Sequence, residues 1–194
     1  MKKNWAYYGV FFFAVILCLA INPFKVSAVV SPTVGGVLPD ISLSIPADRG
    51  ERVYLGISSF GSFNIPQIKA QVLIIEIFSM YCPYCQKEAP KVNALYQKIE
   101  ANPALKGKIK LIGIGAGNSP FEVDVFKKKY TVLFPLFADP DFKIYDKLGQ
   151  LRTPYFIGIK INQDGSHRIF FSKLGAFEEV DAFLELMVKL SGLK

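Results

Sequence analysis

VLIIEIFSMYCPYC, residues 72–85, carries the strongest structural signal in this 194-residue chain. Its first seven residues are apolar except for one glutamate and rich in β-branched side chains, a pattern typical of a strand buried on both faces. Pro83 suits the first position of a helix, because its missing N–H would have no partner there. The sequence therefore predicts a buried strand over 72–78 that turns directly into a helix, with Cys82 as the N-cap residue.

The two cysteines, three positions apart at the start of this helix, predict redox chemistry. A thiolate at Cys82 would accept hydrogen bonds from first-turn N–H groups and feel the positive end of the helix dipole. Its pKa should therefore fall, which makes it the nucleophile, with Cys85 one turn later as the resolving thiol. We expect no cofactor other than the Cys82–Cys85 disulfide itself.

Other interpretations of the cysteine pair fit the chain less well. A zinc site needs four protein ligands, or three and a water, and the sequence adds only Cys18 and His167 to the pair. A purely structural disulfide would close a very small loop and gain little from loop entropy. No metal site is therefore predicted, and we expect His167 to be an exposed residue of a hairpin turn.

The first 28 residues have the features of a targeting segment. A basic start precedes an uncharged apolar run over 5–21, and the small residues at 26 and 28 fit a signal-peptidase site. We predict a signal peptide over 1–28, or alternatively an uncleaved membrane anchor, since the apolar run is at the short end of a bilayer span. Either way, the rest of the chain is predicted to lie outside the cytoplasm, in a bacterial periplasm or on the outer face of the inner membrane. The membrane is expected to contact the protein only through this segment, if it is uncleaved.

Composition and charge favour a single globular domain. The formal net charge is +7, and it falls to +4 without residues 1–28, which contain three lysines and no acidic residue. Because the lysines are scattered, this charge suits solubility rather than nucleic-acid binding. Residues 29–39 are interpreted as a linker and 40–194 as one domain. A chain that keeps a single CxxC in an oxidising compartment is expected to use it for chemistry.

The hydrophobic pattern predicts an α/β protein with a central mixed sheet. Strands are predicted over 41–45, 52–55, 72–78, 109–114, 136–138, 155–161 and 168–171, and helices over 83–100, 120–130, 142–148 and 177–190. The 52–55 strand would pair with 41–45 as an N-terminal β extension, and 56–69 is predicted to be a loop. Buried strands first and a hairpin last indicate helices on both faces of the sheet.

The motifs around the cysteines resemble the thioredoxin superfamily and, within it, the exported TlpA-like group of ResA-type and cytochrome c maturation thiol reductases. The matching segments are IEIFSMYCPYCQKEAP at 75–90, FKKKY at 126–130, FPL at 134–136, Asp139, Leu148-Gly149, RTPYF at 152–156 and Asp164-Gly165. The likeness covers about residues 38–190 and implies a thioredoxin-like fold. It also implies a cis bond at Thr153–Pro154 that faces the CxxC, with the preceding backbone free to pair with a substrate chain.

The resemblance implies further site residues. Glu76 stands where thioredoxin-like proteins often carry a buried acid, and burial should raise its pKa so that it can relay a proton to Cys85. The alternative is a glutamate at a water-lined edge. Glu88 matches an acid that would shape the pKa values near the site, with a solvated helix residue as the alternative. The expected substrate-binding residues are Tyr81, Pro83, Tyr84, Thr153 and Pro154.

Together these features predict an extracytoplasmic thiol–disulfide oxidoreductase. Cys82 would attack a protein disulfide and Cys85 would resolve the mixed disulfide, with a membrane thiol electron donor to restore the pair. The resemblance further suggests a part in cytochrome c maturation. The alternatives are a dithiol oxidase or isomerase, and a copper- or apocytochrome-binding module that uses His167. A peroxidase is disfavoured, because Ile75 stands where the peroxiredoxin frame requires proline.

Overall fold

The structure, a computed structural model, describes residues 31–57 and 61–193. A small antiparallel sheet pairs β1 (Ser42–Ser44) with β2 (Ser62–Asn64). The central sheet contains five strands, which are β3 (Val72–Phe78), β4 (Ile109–Ala116), β5 (Leu136–Asp139), β6 (Tyr155–Ile161) and β7 (His167–Leu174). Their order across the sheet is β5–β4–β3–β6–β7. Strands β4 and β5 run parallel to β3, whereas β6 runs antiparallel to β3 and pairs antiparallel with β7. This is the α/β, thioredoxin-like arrangement predicted from the sequence.

Helices pack on both faces of the central sheet. They are α1 (Arg49–Leu55), α2 (Pro83–Ala101), α3 (Pro120–Lys129), α4 (Lys143–Lys147) and α5 (Val180–Ser191). One hydrophobic core joins the sheet to α2, α3 and α5, and a second joins it to α1, α4 and the small sheet. Every residue of β3 is buried, as predicted for the central strand. Because side chains alternate along a strand, Glu76 shares the face of Ile74 and Phe78, which pack in the core of α2.

The predicted strand over 52–55 is wrong, because these residues belong to α1. The Asp48 side chain caps this helix by accepting the Glu51 N–H at 2.8 Å, and Gly56 ends it in the left-handed conformation, with φ of 69°. These contacts satisfy the end N–H and C=O groups of the helix, which have no partner within the helix itself. The partner of β1 is instead β2, which lies in the segment predicted as a loop.

The segment over 31–39, interpreted as a linker, lies against the edge of the central sheet. Gly35 N–H donates to the Ile169 carbonyl at 2.8 Å, and Ile169 N–H donates to the Gly36 carbonyl at 2.9 Å. Leu38 contributes to the core, and its N–H donates to His167 Nε2 at 3.2 Å. The expectation of an exposed turn for His167 is therefore wrong: it is the half-buried first residue of β7.

The remaining predicted elements occur close to their expected positions. The last helix begins at Val180, three residues later than predicted, because Phe177 packs in the core against Phe183, with ring centroids 4.3 Å apart. Among residues 31–57 and 61–193, no helix is long and apolar enough to cross a membrane. The predicted signal peptide or anchor over 1–28 lies outside the described residues.

Candidate active site

Cys82 lies at the N-cap position of α2, just beyond the carboxyl end of β3, as predicted. Its N–H donates to the Ser79 carbonyl at 3.0 Å and closes a turn over 79–82. Its own carbonyl accepts the Gln86 N–H at 3.1 Å and so begins the helix. The Cys82 side chain is half-buried, and both cysteines of the motif are free thiols. This placement leaves the Cys82 side chain partly exposed to solvent.

The surroundings of Cys82 favour its thiolate. Partial burial acts to raise the pKa of this thiol, but the Thr153 side chain and the N–H groups of Cys85 and Tyr84 act against it, so the pKa lies below the ordinary value. The sulfur forms no capping hydrogen bond of regular geometry. It lies 3.4 Å from the Thr153 carbonyl oxygen, to which the S–H group can donate, and this single contact favours the protonated thiol.

Cys85 has the opposite environment. Its side chain is fully buried in the core beside α2. This burial raises the pKa of the Cys85 thiol far above the ordinary value, although the Ser79 backbone acts in the opposite direction. The lowered pKa favours the thiolate form of Cys82, and the raised pKa favours the protonated thiol of Cys85.

Thr153 and Pro154 face the cysteines across the sheet edge. The peptide bond between them is cis, as expected from the resemblance. Pro154 is buried and Thr153 is half-buried, directly before β6, which lies beside β3. The contact between the Thr153 carbonyl and the Cys82 sulfur places this loop beside the site where a substrate disulfide would be attacked.

Glu76 is a buried acid in the middle of β3. Its side chain is 3% exposed, and Oε1 has no hydrogen-bond partner among the described residues. Burial, with smaller contributions from the charges of Glu88 and Cys82, raises the pKa of Glu76 to about 8. The alternative of a water-lined edge does not fit this burial. A carboxyl group with such a pKa exchanges protons near neutral pH.

Glu88 is also buried, which does not fit a solvated helix residue. Its Oε1 accepts the Phe177 N–H at 3.0 Å, and its Oε2 lies 3.9 Å from Lys91 Nζ. Burial raises the pKa of Glu88, whereas the Phe177 hydrogen bond and the lysine charges limit the rise. Glu88 therefore joins α2 to the segment that leads into α5.

The aromatic residues near Cys82 divide into a buried and an exposed group. Tyr81 and Tyr84 are 66% and 72% exposed, and Pro83 between them is also exposed. Phe78, which precedes them in the motif, is fully buried and packs on Phe126 with ring centroids 4.7 Å apart. The exposed surface next to Cys82 is thus built from Tyr81, Pro83 and Tyr84 and not from Phe78.

Sequence reasoning missed three polar residues that contact the turn before Cys82. Asn118 follows β4, Glu122 lies in the first turn of α3 and Gln86 lies in the first turn of α2. The available signal was topological, because β3 and β4 are parallel and their carboxyl ends meet at one edge of the sheet. No periodic pattern marks such residues.

The described residues do not form a metal site that joins Cys82 and Cys85 to His167. Within the part of the chain that the structure describes, no three His, Cys, Asp and Glu side chains cluster as metal ligands do. His167 pairs with Ile161 in the β6–β7 ladder, at the end of the sheet opposite Cys82. It therefore lies too far along the strand to join the two cysteines around one ion.

Comparison with known proteins places this site in a family context. Residues 34–171 match the AhpC/TSA family. The chain is similar to the thiol–disulfide oxidoreductase ResA of Halalkalibacterium halodurans, with 24% identity over 65% of this chain and 68% of that protein. It is 28% identical to ResA of Bacillus cereus over 48% of this chain, which spans about half (53%) of that relative.

A solved structure also shares the fold. It is a secreted Mycobacterium tuberculosis disulfide oxidoreductase homologous to E. coli DsbE, with a TM-score of 0.53 and 17% identity. The match covers 77% of this chain and 95% of that protein. This likeness independently supports the thioredoxin-like arrangement of the sheet and helices.

Proposed function

The chain belongs to the AhpC/TSA family, and we propose that it is a thiol–disulfide oxidoreductase that uses Cys82 and Cys85 to reduce protein disulfides outside the cytoplasm. The ResA relatives are named thiol–disulfide oxidoreductases, which supports an oxidoreductase enzyme, whereas the direction of the reaction and the location are proposed here. The observation that carries the proposal is the contrast between the two thiols. One is half-buried with a lowered pKa, and the other is fully buried with a raised pKa.

The reaction follows from this contrast. The Cys82 thiolate attacks one sulfur of a substrate disulfide, and the other substrate sulfur leaves as a thiolate. Cys85 then loses its proton and attacks the Cys82 sulfur, which releases the second substrate thiolate. The substrate gains two electrons, and the protein is left with a Cys82–Cys85 disulfide. A thiol donor must reduce that disulfide before the next cycle.

Glu76 is the proposed acceptor of the Cys85 proton. It lies on the same face of the sheet as the core that contains Cys85. With a pKa of about 8, Glu76 is mostly protonated at neutral pH, and its carboxylate fraction takes the Cys85 proton and later returns it. Glu88 influences this exchange through its charge, which contributes to the raised pKa of Glu76.

The proposed substrate surface lies around the exposed sulfur. Tyr81, Pro83 and Tyr84 offer apolar area to a partner, and the Thr153–Pro154 loop offers backbone groups beside Cys82. A disulfide-bearing segment of a partly unfolded protein fits this open surface. The resemblance to cytochrome c maturation reductases makes an apocytochrome c a specific candidate substrate and a membrane thiol protein the candidate donor.

The direction of the reaction is tested by the reduction potential of the Cys82–Cys85 pair. Thioredoxin lies at about −270 mV and the oxidant DsbA at about −120 mV. We expect a value nearer the first, measured by equilibration of the purified protein with glutathione and mass analysis of the two redox states. A value near the second would replace the proposed reductase with the alternative, a dithiol oxidase or isomerase.

The proposed location depends on residues 1–28. A cleaved signal peptide or an uncleaved anchor would both place the domain on the outer side of the inner membrane. Fractionation of cells that produce the full chain, with protease added to intact spheroplasts, tests this location. A protein protected from the protease would contradict it.

A further inference from the structure

The turn that presents Cys82 is held by side chains as well as by its own backbone. Met80 is the first central residue of the 79–82 turn, and both of its backbone polar groups bond to side chains. Its N–H donates to Asn118 Oδ1 at 2.8 Å, and its carbonyl accepts Gln86 Nε2–H at 2.7 Å. The peptide groups on either side of Met80 are therefore fixed from two directions.

The junction between β4 and α3 provides a further contact to the same turn. Glu122 forms the capping box of α3, in which its Oε2 accepts the Ser119 N–H at 2.7 Å. Its Oε1 accepts a hydrogen bond from the Tyr81 hydroxyl. Asn118 and Glu122 thus hold the two central residues of the turn from one neighbouring segment, although they lie about 40 positions away in the sequence.

Asn118 occupies a buried position in which an amide side chain destabilises the fold unless it is fully hydrogen-bonded. Its side chain is fully buried, and Nδ2 has no hydrogen-bond partner among the described residues. An unpaired buried donor destabilises the folded protein, and an apolar residue of similar size would avoid this loss. The bond from Met80 to Oδ1 is the feature that an apolar residue could not supply. Gly115 permits this packing, because a Cβ there would lie 3.1 Å from Asn118 Oδ1.

We propose that Asn118 is a positioning residue for the attacking thiol, which it serves by holding the Met80 N–H and so fixing the turn that places the Cys82 sulfur beside Thr153. Gln86 acts on the same turn through the Met80 carbonyl, and the contacts of Asn118 and Gln86 with Met80 are together called the clamp. This inference rests on the proposed function only in taking Cys82 as the nucleophile. The Thr153 side chain and the N–H groups of the first turn of α2 lower the pKa of Cys82, and their effect depends on where the turn places the sulfur, 3.4 Å from the Thr153 carbonyl oxygen.

The clamp is tested by the reactivity of Cys82 in the reduced full-length protein. Iodoacetamide labelling across pH, followed by peptide mass mapping, reports the Cys82 thiolate without any need for a substrate. Asn118→Leu removes the acceptor at similar volume, and Gln86→Met removes the donor from the partly exposed first turn of α2. We expect either change to slow Cys82 labelling near pH 7 by roughly three- to tenfold and to shift its profile to higher pH.

Asn93→Leu is the matched control. Asn93 also bonds to backbone groups, since Nδ2–H donates to the Tyr130 carbonyl at 2.9 Å and Oδ1 accepts the Leu133 N–H at 3.2 Å, but it lies away from Cys82. Thermal unfolding of all variants measures general destabilisation. The control should lose stability and keep the wild-type labelling profile.

Two results would overturn the clamp. One is wild-type labelling in a folded Asn118→Leu variant, and the other is an equal shift in the control. If Asn118→Leu does not fold, Gln86→Met decides the question alone. Failure of the wild-type protein to reduce protein disulfides would instead count against the proposed function and would leave the labelling result standing.

Discussion

Glu76 in β3 and Glu88 in α2 are both buried on the side of the central sheet where α2 and Cys85 pack, but their surroundings differ. Glu88 accepts a backbone N–H from Phe177 and lies near a lysine, so its charge is partly compensated. Glu76 is enclosed by apolar strand neighbours, and its Oε1 has no partner among the described residues. Glu88 therefore has the contacts of a structural residue, and Glu76 has the environment of a group that changes protonation.

This difference indicates how one small site can separate structural from chemical carboxyl groups. Burial alone raises the pKa of both acids, but a hydrogen bond to the charged form lowers it again for Glu88. A carboxyl group without such a bond remains neutral up to about its shifted pKa and can then exchange a proton with a thiol. The predictions that follow test this division, from the largest expected effect to the smallest.

Replacement of the cysteines tests which thiol requires a proton acceptor. Cys82→Ser should abolish disulfide reduction, because the attacking thiolate is removed. Cys85→Ser should allow the first attack but block resolution, so mixed disulfides with substrate should accumulate on Cys82. Non-reducing electrophoresis and mass spectrometry after incubation with a disulfide-bonded protein measure both results. Accumulation with Cys82→Ser instead would reverse the assignment and remove the basis for pairing Glu76 with Cys85.

Glu76→Gln removes the titrating group with little change in shape. The second step should slow by about 10²-fold or more, the lower range for general acid–base catalysis, because Cys85 loses its proton acceptor. Stopped-flow measurement of mixed-disulfide resolution across pH isolates this step. Glu88→Gln is the control and should change the rate much less. Equal losses in the two variants would show that Glu76 has no special role in proton transfer.

Stability across pH distinguishes the two acids by another measurement. The pKa of Glu76 rises from the ordinary value of 4.5 to about 8 in the folded protein, so folding favours its neutral form. This group therefore gives its full stabilisation below about pH 4.5 and loses it as the pH rises towards 8. The loss is at most about 5 kcal/mol, from the size of the shift.

Denaturant unfolding of Glu76→Gln should lack this part of the pH dependence. Relative to wild type, the variant should gain stability as the pH rises from about 5 to about 8, because an amide never becomes charged. Parallel curves for the two proteins over this range would mean that Glu76 titrates near its ordinary value, and the contrast with Glu88 would disappear.

The smallest expected effect concerns the coupling between the two acids. The charge of Glu88 contributes to the raised pKa of Glu76, so Glu88→Gln should lower the Glu76 midpoint by a fraction of a pH unit. Carboxyl-carbon NMR titration of the reduced protein measures this shift. Lys91→Met is a useful companion, because loss of the lysine charge should raise the pKa of Glu88. An unchanged midpoint in Glu88→Gln would mean that the acids titrate independently.

The accuracy of the sequence predictions differs between the two ends of the domain. Around residues 72–85 the apolar run, Pro83 and the cysteines all indicate the same elements, and the structure agrees. In the N-terminal extension the predicted strand over 52–55 is helical, because a cap at Asp48 and Gly56 outweighs a short β-branched pattern. The true partner of β1 lies in a segment without periodicity, so its pairing depends on packing against the rest of the domain.

The proline loop that faces the cysteines was expected from the resemblance to the thioredoxin superfamily, because Thr153 lies 71 positions from Cys82 in the chain. The sequence by itself determined the buried strand and the helix that begins after Cys82. These features depend on local rules of hydrophobic alternation, helix capping and a motif of fixed spacing, all of which are contained in a few adjacent residues. The tertiary structure alone decided that Glu88 is buried, that Asn118 holds Met80 and that His167 begins β7. Each of these depends on a partner between 38 and 129 positions away in the chain. Neither periodicity nor propensity specifies such partners, because these contacts form only when the sheet brings distant segments together.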